Sequence, residues 1–175
     1  MSTIAEAIPA ALPTTTRPRR GFRLRRRAHK IALTSHVLSS VGWFGIALGV
    51  ALCGLAAART ADAGLTRALY RTMAVTPWVS IPTGLVAIGT GVLLSLGTIY
   101  GLVRYWWVAA KITIAAAIVP TDALLVARAA HNAAVSGSAS HVLYGATIAH
   151  VVVLGVATVL SVFKPWGRTP MGRRR

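Results

Sequence analysis

Four ionisable side chains lie inside long apolar runs of this sequence: His36, Lys111, Asp122 and His150. An imidazole in apolar surroundings is a good ligand for haem iron or copper. A lysine can ligate once it is neutral, and burial favours the neutral form. The same groups could instead relay protons, or each could be a hydrogen-bonded packing element and no more. The stretch around the first reads HVLSSVGWFG, residues 36–45. Within it His36, Ser40 and Trp43 fall at i, i+4 and i+7, one face of a helix, and form a polar stripe. No nucleophile–base pair, phosphate-binding loop or soluble catalytic domain accompanies them, so enzymatic chemistry is not what the residues point to.

Four apolar runs must position these groups: residues 31–58, about 78–103, about 105–126 and about 142–163. Each exceeds the ~20 residues that cross ~30 Å of hydrocarbon. Backbone polar groups in lipid must be satisfied within the segment, so each run is expected to be a helix. None alternates with period two, which argues against a β-barrel. The fold class predicted is all-α, a polytopic membrane protein with a bundle of four transmembrane helices. Composition agrees: hydrophobic residues make up 55% of the 175-residue chain and charged ones 13%, too little polar surface for a soluble domain.

The charge is lopsided, with 19 Lys+Arg against 3 Asp+Glu. The basic residues gather at the ends of the apolar runs, so the net +16 reads as membrane orientation and not as a nucleic-acid footprint. Arg17, Arg19, Arg20, Arg23, Arg25, Arg26, Arg27 and Lys30 precede the first run, Arg104 lies in the link between the second and third, and Lys164, Arg168, Arg173, Arg174 and Arg175 follow the fourth. The opposite side holds Arg59, Arg67, Arg71 and Arg128. The excess places both termini in the cytoplasm of a multi-pass protein of a bacterial plasma membrane. Basic tails there meet anionic lipid headgroups. Trp78, Trp106, Trp107 and Trp166 lie near run ends, where amphipathic rings favour the headgroup layer.

Three regions follow: a basic tail over 1–29, the transmembrane domain over 30–164 and a basic C-terminal tail over 165–175. Residues 1–27, rich in Ala, Pro, Thr and Arg, are expected to be disordered. RPRRGFRL within them loosely resembles a twin-arginine export signal, but the apolar run that follows is far longer than a signal core. The first helix is therefore read as retained, with cleavage as the alternative.

At ~1.5 Å per residue, His36 lies about 8 Å and Lys111 about 9 Å from the cytoplasmic edge, so they share a layer. His150 lies ~20 Å from that edge and Asp122 deeper still. Two histidines ~12 Å apart do not share one metal. Lys111 and Asp122 are eleven residues apart, ~16 Å along the axis, and cannot pair. Cys53 stands alone, so no intrachain disulfide and no Cys-x-x-Cys metal cluster is available. Small residues recur at four-residue spacing: Gly45 and Gly49 with Gly42 and Cys53 nearby, Ala87, Gly91 and Ser95, then Gly97 and Gly101. Such ridges allow close helix approach, expected here within one bundle, with a homo-oligomer face as the other reading. Pro82 falls in the first turn of its run and is tolerated there; Pro120 falls inside the third run and should kink it.

HVLSSVGWFG resembles the His-x(6)-Trp-hydrophobic-Gly opening of CopD-like membrane proteins, a group with copper-resistance D proteins and the oxygen-independent protoporphyrinogen IX oxidase family. WWVAAKITIAA resembles the group's second element, an aromatic run followed by a lysine. The whole arrangement is most similar to an uncharacterised family of four-helix actinobacterial membrane proteins that ends in a segment like KPWGRT, residues 164–169. The resemblance covers about residues 30–169. It implies a haem b site held by His36 and Lys111, with His36 as the metal ligand. The residues themselves add Ser40, Trp43, Asp122 and His150 as further polar candidates. Two other roles stay open: a non-enzymatic structural or interaction protein, and an oligomeric proton- or metal-linked transporter. The residues name no substrate.

Overall fold

A computed structural model describes residues 24–97, 102, 105–139, 141–163, 167 and 169–170. The tail over 1–23, the link carrying Arg104, and Lys164, Trp166, Arg168 and Arg173–175 lie outside them.

The chain forms α1 (Arg26–Arg59), α2 (Ala63–Val75), α3 (Pro77–Leu96), α4 (Trp106–Thr121), a π-helical turn (Asp122–Val126), α5 (Ala127–Ser136) and α6 (His141–Phe163). No strand appears among the described residues. Because α2 runs into α3 and α4 runs through the π-turn into α5, there are four long segments: Arg26–Arg59, Ala63–Leu96, Trp106–Ser136 and His141–Phe163. Each is long and apolar enough to cross a membrane. The fold is the expected all-α four-helix bundle of a membrane protein, with large apolar side chains turned outward and a few polar groups buried among apolar ones. Leu38 is 68% exposed and Val162 70%, while Asp122 and His150 are buried at 9% and 7%. Lipid, not water, is the solvent such an exterior fits.

The helices are longer than the apolar runs. α1 starts at Arg26, inside the region expected to be tail, and its 34 residues span about 51 Å against ~30 Å of hydrocarbon. Arginine is a good helix former, so a helix nucleated in lipid extends through basic residues at little cost. Arg25 to Arg27 at a helix N-terminus oppose the macrodipole. Their position is set by the adjoining apolar run.

Two further helical stretches lie beyond the expected spans. Asp62 caps α2, its carboxylate accepting from the backbone N–H of Gly64 at 2.7 Å and of Leu65 at 3.2 Å. Thr76 joins α2 to α3, with Pro77 at the first position of α3, where a missing N–H does no harm. Pro82 lies inside α3 and not in a first turn, because the helix begins earlier than its apolar run. After Pro120 the chain does not stop at a kink. It takes the π-turn and continues as α5 to Ser136. Gly137, at φ 76°, closes α5 in the left-handed conformation that favours glycine, its N–H on the Ala133 carbonyl at 2.8 Å.

α2 packs on α5 and on the Arg59 end of α1, around Tyr70, Met73, Val126, Ala130 and Leu143. A second core lies nearer mid-bundle, with Trp43, Ala87, Ile118 and Leu154 from α1, α3, α4 and α6. The small-residue ridges divide between two uses. A Cβ on Gly84 would lie 2.7 Å from the Trp43 ring, and one on Gly91 3.0 Å from the His36 ring. These glycines let α1 approach α3. Gly45 and Gly49, expected to pack within the bundle, are exposed, and a Cβ on either meets nothing within 4 Å. Their face of α1 turns outward because the His36–Trp43 stripe claims the inner one.

Candidate functional site

The stripe on α1 is anchored at two levels. His36 Nδ1 lies 2.9 Å from the Ala87 carbonyl and 3.2 Å from Thr90 Oγ1, both on α3. The Thr90 hydroxyl is donated to the Val86 carbonyl at 2.6 Å. A carbonyl only accepts, so Nδ1 of His36 carries the hydrogen and a neutral ring keeps its lone pair on Nε2. Ser39 turns back on its own helix, donating to the carbonyls of Ser35 and His36. Seven residues further, ~10 Å along α1, the Trp43 indole N–H donates to Ser80 Oγ at 3.1 Å.

His36 lines a pocket of about 660 Å³ between α1, α3, α4 and α6. Its walls are mostly apolar, with Val37, Phe44, Ile88 and Leu94 among them, and Ser40 and Lys111 add polar groups. Ligand pockets of such size and composition, with few polar groups, are common. Lys111 enters from α4. Its ammonium donates to the Ser161 hydroxyl in the last turn of α6, which in turn donates to the Ala157 carbonyl at 2.9 Å. His36 and Lys111 thus share one pocket, each bonded to a different helix and not to the other. The lysine head is carried toward the end of the bundle where α1 begins, the direction a snorkelling lysine takes.

Deeper in the bundle lies a second polar cluster. Ser80 Oγ donates to Asp122 Oδ2 at 2.5 Å, and Asp122 Oδ1 lies 3.3 Å from His150 Nε2. His150 Nδ1 reaches the Ala146 carbonyl at 2.8 Å. A hydrogen-bonded chain therefore runs Trp43–Ser80–Asp122–His150, one residue from each long segment. Asp122 does not cap a helix end or face water. It opens the π-turn and points inward, beside a cavity of about 20 Å³.

The chain matches no protein-family model, no curated protein and no solved structure. Its site is therefore built from its own geometry.

Sequence reasoning placed His36, Ser40 and Trp43 on one face and put His36 and Lys111 in one layer; in the structure all four line one pocket. It did not join Asp122 to His150. The depth estimate put Asp122 further out because it took the ends of the apolar runs as level, whereas the helices run beyond those ends. It also passed over Ser80, a lone serine in an apolar run, and His29. His29 is part-buried and lines the mouth of the large pocket. The signal for it was the seven-residue spacing of His29, His36 and Trp43. Among the described residues, no three His, Cys, Asp or Glu side chains converge as a protein-only metal site would require.

Proposed function

We propose that this chain is a membrane-embedded haem b protein of the CopD-like kind, in which His36 would hold the iron from the large pocket. One observation carries the reading: the Ala87 carbonyl fixes Nδ1 of His36 as the donor, which leaves the Nε2 lone pair on a ring that lines an apolar pocket of about 660 Å³. That is how proteins orient imidazole ligands toward a metal. The residues fit the group. Apolar walls suit the macrocycle, and His29 lines the same pocket. Lys111 is the second candidate ligand, and its bond to Ser161 would have to yield first. When bound, the haem supplies one-electron chemistry. His36 would hold it, the apolar walls would exclude water, and Gly91 leaves room for the His36 ring.

The setting is a bacterial plasma membrane with both termini cytoplasmic, supported by the Lys/Arg excess at the Arg26 end. Exposed Arg25, Arg26, Arg27 and Lys30 would rest on anionic headgroups. The outward-facing Gly45 and Gly49 support a homo-oligomer through α1. Reporter fusions after Arg175 and between Ser136 and Ser138 test the orientation; a C-terminal fusion active only outside the cytoplasm overturns it.

The site is tested by the absorption spectrum of protein purified from haem-replete cells. A Soret band is expected in the wild type, absent in His36→Ala and largely retained in His150→Ala. Wild-type protein without that band refutes the haem reading and leaves the stripe a packing device, the role that the bond from His36 to Ala87 would then have.

A further inference from the structure

The Trp43–Ser80–Asp122–His150 chain fixes the direction of every hydrogen bond but one. An indole N–H only donates, so Ser80 accepts from Trp43. The Ser80 hydroxyl then donates to Asp122 Oδ2. At the other end the Ala146 carbonyl only accepts, so His150 Nδ1 carries a hydrogen. The remaining contact is Asp122 Oδ1 with His150 Nε2. Without a proton between them, a carboxylate lone pair would face an imidazole lone pair in a buried site. One proton satisfies both atoms, whether it resides on nitrogen as an imidazolium–carboxylate pair or on oxygen as an acid beside a neutral ring. Both arrangements have zero net charge, and the proton belongs to the pair.

We infer that Asp122 and His150 form a proton-binding site in the interior of the bundle, holding one exchangeable proton between Oδ1 and Nε2. Releasing that proton leaves a lone carboxylate among apolar helices, where an unbalanced charge is expensive. The site therefore ties proton uptake and release to whatever relieves that charge, such as hydration or a helix movement. No lysine or arginine lines its cavity to share the charge. α1 contributes Trp43, α2 Met73, α3 Ser80 and α6 Thr147 beside His150. The phenols Tyr70 and Tyr144 are bonded to each other at 3.0 Å and do not line the cavity.

The backbone is irregular at this spot twice over. The α2–α3 junction borders the cavity through Met73, Thr76 and Pro77, and the π-turn borders it through Asp122 and Val126. Non-helical joints at membrane depth are tolerated where they line a protein interior, and π-turns recur at functional sites. The cavity of about 20 Å³ has room for one water, with the Thr76 and Thr147 hydroxyls in its walls. Trp43 is in the wall as well. Having no acceptor atom, it passes no proton toward the large pocket, although it lines both spaces.

The experiment is infrared difference spectroscopy of the full chain in lipid nanodiscs, between mildly acidic and strongly alkaline buffer. The expected result is one transition in which carboxyl and imidazole bands change together. Asp122→Asn and His150→Gln should each remove the whole transition, because the proton belongs to both. Ser80→Ala, which keeps the pair, should retain the transition and shift the carboxyl band, since it deletes the hydroxyl donated to Oδ2. His36→Ala should leave the transition in place, so the haem reading and this one fail separately. Identical difference spectra for wild type and Asp122→Asn overturn the proposal. If neither replacement of the pair folds, a Ser80→Ala carboxyl band unmoved from wild type overturns it.

Discussion

The two polar layers of the bundle differ in how completely they are filled. Around Asp122 there is room for one water, both carboxylate oxygens are engaged, and both imidazole nitrogens of His150 have partners. Around His36 there is about 660 Å³ of space, and the neighbours that hold the ring engage one nitrogen. A closed, satisfied network fixes helix register, because each partner constrains another helix. An open layer with an oriented imidazole accommodates something that is not protein. The first should therefore govern folding and the second occupancy.

The largest expected effect breaks that comparison if it fails. Asp122→Ala leaves the Ser80 hydroxyl and His150 without their acceptor in a buried site. Removing one partner of a buried pair costs about 3 kcal/mol. Lys111→Ala, in the open layer, deletes one part-buried bond to Ser161 and should cost about 1 kcal/mol. Unfolding of the two variants in mixed micelles checks this. Equal losses would show that both layers are structural.

Next comes Gly84→Ala. The new Cβ would sit 2.7 Å from Cε2 and Cζ2 of Trp43, a fully packed ring. Either α1 moves away from α3 or the indole leaves Ser80. Overpacking of this kind costs about 1–3 kcal/mol. The same unfolding assay reads it, and loss of the buried-indole fluorescence position reports the ring. An unperturbed midpoint would mean that α1 and α3 are less closely apposed than the geometry states.

The four-helix class was legible because apolar length and backbone satisfaction in lipid leave little choice. The stripe was legible because three residues at helical spacing need only one straight helix, α1. Asp122 was not, since its contact with His150 depends on how two helices are set against each other, which no periodicity along one helix reports. α2 and α5 were missed for a related reason. Thr66, Arg67 and Arg71 in one, and Arg128, His131 and Asn132 in the other, read as a polar loop. They form helices because each buries a face on the other, a tertiary fact. Gly45 and Gly49 were expected to pack within the bundle and instead face outward, since spacing cannot say which face a neighbour covers.

Trp43→Phe separates packing from polarity within the closed layer. The ring volume is largely kept, and the N–H to Ser80 is lost. A net loss of about 1 kcal/mol is expected, the worth of one hydrogen bond. A loss near that of Asp122→Ala would instead place most of the indole's contribution in its contacts with Gly84 and Ala87.

The smallest stability effect tests the open layer most sharply. In Gly91→Ala the added Cβ lies 3.0 Å from His36 Cε1 and 3.4 Å from Nδ1. The imidazole must give by a few tenths of an ångström, pivoting about its bond to the Ala87 carbonyl. An off-rotamer side chain costs about 0.5–1.5 kcal/mol, while alanine in place of a helical glycine gains about 0.8–1.0 kcal/mol. The two nearly cancel, so the unfolding midpoint should hardly move. The direction of Nε2 does change, and anything it ligates is re-aimed. Gly45→Ala supplies the control, because its Cβ meets nothing within 4 Å and only the helix gain remains. In protein purified from haem-replete cells, Gly91→Ala should alter the absorption spectrum and Gly45→Ala should not. A Gly91→Ala spectrum superimposable on wild type would mean that the His36 ring does not touch the chromophore, and the ligand would then have to be sought elsewhere in the pocket.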